Sequence, residues 1–166
     1  MREISNSIIR VVVSLAFFAI SACTSKIETQ ISDLSKARNC WALTRTKDYS
    51  FDLQTKCFGA CFGPVSVEVA LGDIVSVTPH ESAMAYRDEY FEYVPKIGDL
   101  FDRVLHYIER SSEDGVDLDV TFDPTYGYPQ TIIFKDTNAS DGFFEAIVEN
   151  VDMKQTSPAT HYNCRL

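Results

Sequence analysis

Cysteine is the residue type whose spacing in this sequence predicts the most chemistry. Four cysteines lie in the body of the chain, at Cys40, Cys57, Cys61 and Cys164. In an exported protein an even set predicts two disulfides, and four cysteines allow three pairings. Cys57 and Cys61 are near enough in sequence to close a small loop, which leaves Cys40 to pair with Cys164. Zinc is the competing interpretation, but the sequence lacks the paired C-x-x-C spacing of zinc sites.

Three histidines are the candidates for acid–base chemistry. His80 follows a predicted strand, His106 lies on the flank of a predicted helix, and His161 lies in the C-terminal tail. The sequence contains no G-x-S-x-G, H-E-x-x-H or P-loop motif. We therefore expect no catalytic residue, no metal site and no cofactor. A binding or structural protein fits these residues better than an enzyme does.

Acidic side chains give a second, weaker indication of a site. Asp117, Asp119 and Asp123 alternate along a predicted strand, where they would either face solvent or present carboxylates to a cation. The segment 136–142, D-T-N-A-S-D-G, has oxygen-bearing side chains at alternate positions, as a calcium loop does. It lacks the glycine and the acidic residue that an EF-hand has at its sixth and twelfth positions. A polar hairpin loop is the simpler interpretation, and calcium binding stays an alternative.

A long aromatic connection is the candidate partner surface. Tyrosine is favoured at protein interfaces, and a long loop in a compact domain is often functional. The alternative is that these rings cover an edge of the sheet. The four aromatic residues of this surface are Tyr86, Tyr90, Phe91 and Tyr93.

The segment before Cys23 has the pattern of an export signal. Arg2 and Arg10 outnumber Glu3 before the apolar run 11–20, and this run is shorter than the roughly 20 residues that span a bilayer. Ile, Ser and Ala at 20–22 followed by Cys23 resemble the lipobox of bacterial lipoproteins. That resemblance implies cleavage before Cys23, a diacylglycerol on its thiol, and acylation of the new amino terminus, which together anchor a domain stably. The alternative is an ordinary secretory signal with Cys23 as a spare thiol.

The position after the cysteine bears on which membrane holds the anchor. Lipoproteins held at the inner membrane of two-membraned bacteria commonly have Asp there, whereas this sequence has Thr24. We therefore expect the outer membrane, with the domain facing the periplasm.

Composition excludes one class of partner. The chain has 24 acidic and 15 basic residues and a formal net charge of -9. Such a chain is repelled by nucleic acid phosphates, so nucleic acid is not an expected partner. A hydrophobic content of 45% indicates a packed core and not a disordered acidic tail.

Hydrophobic periodicity predicts the elements that position these residues. Helical spacing runs from Ile27 to Trp41, and strand alternation follows in 49–54, 65–71 and 74–78, with Gly72 and Asp73 as a two-residue turn. A second helix over 97–108 precedes alternating segments at 116–122, 130–134 and 142–153. The order helix, three strands, helix, three strands predicts an α+β domain, with its helices packed on one face of antiparallel sheet.

A set of motifs resembles an uncharacterised family of bacterial secreted and lipoprotein domains. These motifs are Trp41, D-Y-S-F from Asp48, the cysteine pair in C-F-G-A-C-F-G-P, G-D-I-V-S-V, L-F-D, V-T-F-D-P-T-Y-G-Y-P and Asp136. They cover roughly residues 38–153. Phe122 replaces the usual Tyr, and the two cysteines are further apart than is usual. No activity is established for that family, so the resemblance implies a fold and a compartment but no mechanism.

The predicted organisation is a signal peptide over 1–22, a lipidated tether over 23–26 and a single α+β domain over 27–166. The predicted function is a lipid-anchored envelope protein that binds or supports another envelope component without catalysis. A small envelope hydrolase and a calcium-dependent binding module are the alternatives.

Overall fold

The computed structural model describes residues 26–44, 46–58, 61, 63–81 and 88–154. Helix α1 occupies 26–43 of these residues. The signal segment 1–22 and Cys23 lie outside the described ranges. After α1 come the strands β1 Tyr49–Cys57, β2 Val65–Ala70 and β3 Asp73–Pro79, a 3-10 helix Asp88–Tyr93, helix α2 Ile97–Arg110, and the strands β4 Val116–Phe122, β5 Pro129–Asp136 and β6 Phe143–Met153.

This architecture confirms the predicted α+β class. The six strands form one antiparallel sheet in the order β3-β2-β1-β6-β5-β4, so two three-stranded meanders are joined through β1 and β6. The element order departs from the predicted one by the 3-10 helix, which lies where the sequence pattern predicts no regular structure. Within the described ranges, no helix is long and apolar enough to cross a membrane.

One face of the sheet carries the core. Tyr49, Phe51 and Leu53 of β1 are buried and alternate with partly exposed residues, as expected for a strand with one covered face. Both helices contact this face: the ring of Trp41 in α1 lies edge-on to Tyr49 with centroids 5.3 Å apart. In α2 the ring of Tyr107 stacks on Phe134 of β5 at 4.0 Å. The opposite face of the sheet carries mostly polar side chains, with the partly exposed Ile133, Phe143 and Ile147 as exceptions.

The turn between β2 and β3 differs by one residue from its prediction. Leu71 and Gly72 form the turn, both at positive φ, and Asp73 is the first residue of β3. Two consecutive residues at positive φ match the right-handed twist of the strands that they connect. A carboxylate oxygen of Asp48 accepts a hydrogen bond from the Leu71 N–H at 2.7 Å, which holds this turn against the start of β1.

The turn between β4 and β5 packs against α1. Asp123 Oδ1 accepts hydrogen bonds from the N–H groups of Thr125 and Tyr126 at 2.9 and 2.6 Å. Gly127 has a φ of +79° and lies so close to α1 that a Cβ there would overlap the carbonyl oxygen of Ala37. The Y-G-Y-P motif is thus explained by packing geometry.

Candidate functional site

A disulfide closes the end of β1. Cys57 and Cys61 are bonded, with Cα atoms 5.7 Å apart, which confirms the predicted short pair. Phe58, inside this loop, is 68% exposed. Cys40 is also disulfide-bonded, but its predicted partner Cys164 lies outside the described residues, so that pairing stays a prediction.

A cavity of about 180 Å³, here called the Arg103 cavity, lies beside this disulfide. Strand β1, the disulfide loop after it, the end of the 3-10 helix with the residues that follow, α2 and the start of β6 contribute its walls. The lining residues are Thr55, Cys57, Cys61, Tyr93, Pro95, Arg103 and Phe144. Tyr93 is 63% exposed and stands at the rim. The cavity therefore combines apolar walls with one cationic group.

Arg103 is held by stacking. Its guanidinium carbon lies 4.6 Å from the ring centroid of the buried Phe144, a cation–π contact. Asp99, one helical turn earlier, accepts a hydrogen bond from the backbone N–H of Lys96 at 2.9 Å. Among the described residues no carboxylate lies within 4.0 Å of Arg103, whereas Arg38 and Arg110 both form ion pairs. Arg103 is thus positioned and still able to bind an anion.

A second polar cluster lies on the open face of the sheet. The Ser66 hydroxyl donates to Asp52 Oδ1 at 2.6 Å, and His80 Nε2 lies 2.8 Å from Ser66 Oγ and 3.3 Å from Asp52 Oδ1. Asn150, at positive φ beside a bulge in the β1–β6 pairing, donates to Asp52 Oδ2 at 2.7 Å. Burial acts to raise the pKa of Asp52, but these hydrogen bonds and the charge of His80 outweigh it and lower the pKa.

The cluster has the residue types of a nucleophilic triad but not its order. In a triad the serine donates to one histidine nitrogen while the carboxylate accepts from the other. Here one nitrogen of His80 faces both partners, and Ser66 donates to Asp52. Strand β2 pairs with β1 and β3 on either side of Ser66, so nearby N–H groups belong to the sheet and do not form an oxyanion hole.

The hollow beside this cluster is shallow and polar. Its volume is about 250 Å³, and Ser66 contributes to its wall. The other lining residues are Ser50, Val67, Glu68, Ser76, Thr78 and Lys154. Glu68 and Lys154 form an ion pair there, so the two charges of this hollow satisfy each other.

A third cavity lies between α1, α2 and β4. Its volume is about 280 Å³, and Val104, Ile108 and Leu118 form its apolar floor. Gln30 donates weakly from Nε2 to the carbonyl of Leu118 at 3.4 Å, and its buried Oε1 has no hydrogen-bond partner within the described part of the chain. At the rim Lys26 pairs with Asp117 at 3.6 Å. This cavity offers one unused acceptor, and the charged lining residue without an ion pair among the described residues is Asp119, an exposed carboxylate and not a cation.

The remaining predicted residues are dispersed. His106 lies on the exposed side of α2, and His161 lies outside the described residues. Asp117 and Asp119 are exposed on the edge strand β4, but Asp123 lies beyond the end of that strand and caps the following turn. The predicted row of three carboxylates is therefore wrong for Asp123.

The loop that resembles a calcium site is held by an internal ion pair. Asp136 is buried and accepts hydrogen bonds from Arg110 and from the N–H of Asn138. The Asn138 N–H lowers the pKa of Asp136, and Arg110 adds to this against the effect of burial. Because Arg110 forms an ion pair with the Asp136 carboxylate, this carboxylate is not free to bind a cation. No group of three acidic, His or Cys side chains suited to a metal occurs within the described residues.

The predicted aromatic surface is only partly described. Tyr93 lies at the rim of the Arg103 cavity, and Phe91 is 38% exposed. Tyr86 and the side chain of Tyr90 lie outside the described part of the chain. Sequence reasoning missed Arg103 because a lone arginine on the flank of a helix looks like a solvated residue. The nearby disulfide and the aromatic connection were the only available signals for this region.

These features define a class: a small α+β domain with one helix-covered sheet, a disulfide-bounded cavity and a polar open face. The chain belongs to a family of unknown function, DUF6174, whose family model matches residues 33–153. No curated protein and no solved structure matches the chain.

Proposed function

We propose that this protein is a lipid-anchored lipoprotein of the cell envelope, held at the outer membrane through Cys23, and that its domain is a binding module. The lipobox-like residues 20–23 support the anchor. Cys23 is three residues before Lys26, where the described part of α1 begins, so the domain would stand within about 10 Å of its anchor. A domain placed so close to a membrane is suited to engage a component of the envelope.

Metabolic labelling tests the anchor. A palmitate analogue should label the wild-type protein and the matched control Thr24→Ala, but not Cys23→Ala. In a two-membraned host, Thr24→Asp should move the labelled protein from the outer to the inner membrane fraction. An unlabelled wild-type protein would contradict the proposal.

The Arg103 cavity is the observation that carries the binding role. Exposed Tyr93 lines a cavity whose cation has no ion-pair partner among the described residues, and aromatic residues and arginine are enriched at binding surfaces. A photo-crosslinking amino acid in place of Tyr93 should capture an envelope component in living cells. The same amino acid in place of Val75, exposed on the edge strand β3, is the control and should not capture it. Equal crosslinking at both positions would argue against this site.

A small hydrolase is the second candidate, and the contact of His80 with Ser66 and Asp52 is the observation that favours it. A fluorophosphonate probe that labels serine nucleophiles should then modify the wild-type protein and not Ser66→Ala. We expect no labelling, because Ser66 donates to Asp52 and lacks an oxyanion hole. Labelling that Ser66→Ala abolishes would reverse the ranking of the two candidates.

A further inference from the structure

We propose that the Arg103 cavity binds a carboxylate carried on a small apolar group, as presented by the C-terminal residue of a peptide. This inference rests on the proposed binding function and adds the chemical class of the ligand.

The guanidinium of Arg103 is arranged for a planar anion. The guanidinium carbon lies 4.6 Å from the ring centroid of Phe144, and among the described residues none of the guanidinium N–H groups donates a hydrogen bond or pairs with a carboxylate. Two parallel N–H groups match the two oxygens of a carboxylate. The buried ring of Phe144 fixes the orientation before a ligand arrives, which lowers the entropic cost of binding.

Charge favours a monoanion over a phosphate. The chain carries a formal net charge of -9, so it repels a dianion more strongly than a singly charged ligand. Arg103 is the only cationic side chain among the residues that line this cavity in the described part of the chain. One guanidinium balances one carboxylate.

Size and wall chemistry favour a short apolar group. A volume of about 180 Å³ gives room for one small residue. The Cys57–Cys61 disulfide, Pro95 and Phe144 present mainly apolar atoms. Tyr93 stands at the rim, where the rest of a peptide chain would extend outward.

The full chain, solubilised in detergent, tests this by isothermal titration calorimetry. The probe is N-acetyl-L-alanyl-L-alanine, and its C-terminal amide is the matched ligand control. We expect the acid to bind at least about tenfold more tightly than the amide, and Arg103→Gln to weaken binding of the acid by at least about tenfold. Lys47→Gln removes the same charge from an exposed position two residues before β1, a strand that spans roughly 26 Å from Tyr49 to Cys57, and should change binding less than about twofold.

Several outcomes would overturn the assignment. Equal binding of acid and amide excludes carboxylate recognition, and propionate binding as tightly as the dipeptide excludes a peptide terminus. If circular dichroism shows that Arg103→Gln does not fold, binding of the acid is measured with Arg103→Lys instead. Lysine keeps the charge and loses the planar fork, so unchanged binding to this variant would overturn the assignment. If the dipeptide does not bind but the photo-crosslinker at Tyr93 still captures an envelope component, only the ligand class is refuted. If the dipeptide does not bind and nothing is captured at Tyr93, the proposed binding role is refuted as well.

Discussion

Replacing Gly127 with alanine should destabilise the fold far more than the same change at Gly72. Both glycines have positive φ, +79° and +88°, so each alanine variant bears the cost of a left-handed conformation, about 1–2 kcal/mol. The surroundings differ. A Cβ on Gly72 has nothing within 4 Å, whereas a Cβ on Gly127 would overlap the Ala37 carbonyl oxygen and lie 2.9 Å from Cys40 Cβ.

The extra loss of stability in Gly127→Ala arises because the atoms next to Gly127 cannot move aside. The carbonyl oxygen of Ala37 belongs to the backbone of α1, so it cannot rotate away as a flexible side chain would. Overpacking of this kind costs about 1–3 kcal/mol. We expect a total loss of about 3 kcal/mol for Gly127→Ala against about 1 kcal/mol for Gly72→Ala. In a domain of this size these losses correspond to falls in Tm of roughly 6–12 °C and 2–4 °C.

Chemical and thermal unfolding of the two variants measure this difference. Trp41 is a local probe, because its ring lies 6.3 Å from that of Tyr128, next to Gly127. Gly127→Ala should therefore shift the tryptophan emission as well as the midpoint, and palmitate labelling should be unchanged in both variants. Equal losses in the free energy of unfolding at Gly127 and Gly72 would refute the steric contribution. The left-handed backbone conformation alone would then account for both losses.

Further predictions concern covalent and ionic links. Cys57→Ala, which opens the bond to Cys61, should lower the free energy of unfolding by about 2 kcal/mol in urea titrations. If Cys40 is bonded to Cys164, Cys40→Ala should cost more, up to about 5 kcal/mol, and a non-reduced peptide map should contain that pair. The folded state lowers the pKa of Asp136, so its stabilising effect is present above its unfolded pKa of about 3.9 and is lost as pH falls through the folded value. Asp136→Asn should therefore destabilise the protein at pH 7 but differ little from the wild type at about pH 2, in thermal melts at both values.

Local periodicity was sufficient for most of the fold. The alternation at Val65, Val67 and Val69 predicts a strand with one buried face, and all three are buried. The pairing of β1 with β6 was beyond a local pattern, because it joins segments about 90 residues apart and depends on their matching apolar faces. The 3-10 helix was missed for a related reason, since a single short turn has too little periodicity to detect.

The candidate sites needed tertiary information to different degrees. Asp52 lies opposite Ser66 across the β1–β2 pairing, so their contact follows once the strand register is known. Arg103 and Phe144 lie 41 positions apart on different element types, and only the packing of α2 on β6 brings them together. A stacked arginine of this kind leaves no mark in the sequence.

The register of the sheet also relates the Arg103 cavity to the start of α1. Lys26 at the start of α1 pairs with Asp117 near the start of β4. From Asp117, paired residues on neighbouring strands lead across the sheet to the disulfide. Asp117 pairs with Lys135, Lys135 pairs with Phe143, and the next residue, Phe144, pairs with Cys57. The start of α1 and the disulfide wall of the cavity thus lie at the same end of the sheet, three strand spacings or about 14 Å apart.

This arrangement limits the ligands that the proposed function allows. If Cys23 is acylated as proposed, a distance of at most about 10 Å between Cys23 and Lys26 would keep the end of the sheet that bears the disulfide near the membrane surface. Under this proposal a ligand would reach the cavity from the membrane side, where the bilayer would hinder a bulky soluble partner. A peptide whose C-terminus lies near the membrane surface meets this condition and the carboxylate preference of Arg103 together. Lengthening the tether after Cys23 with flexible residues should therefore increase crosslinking at Tyr93 to soluble partners while leaving dipeptide binding unchanged.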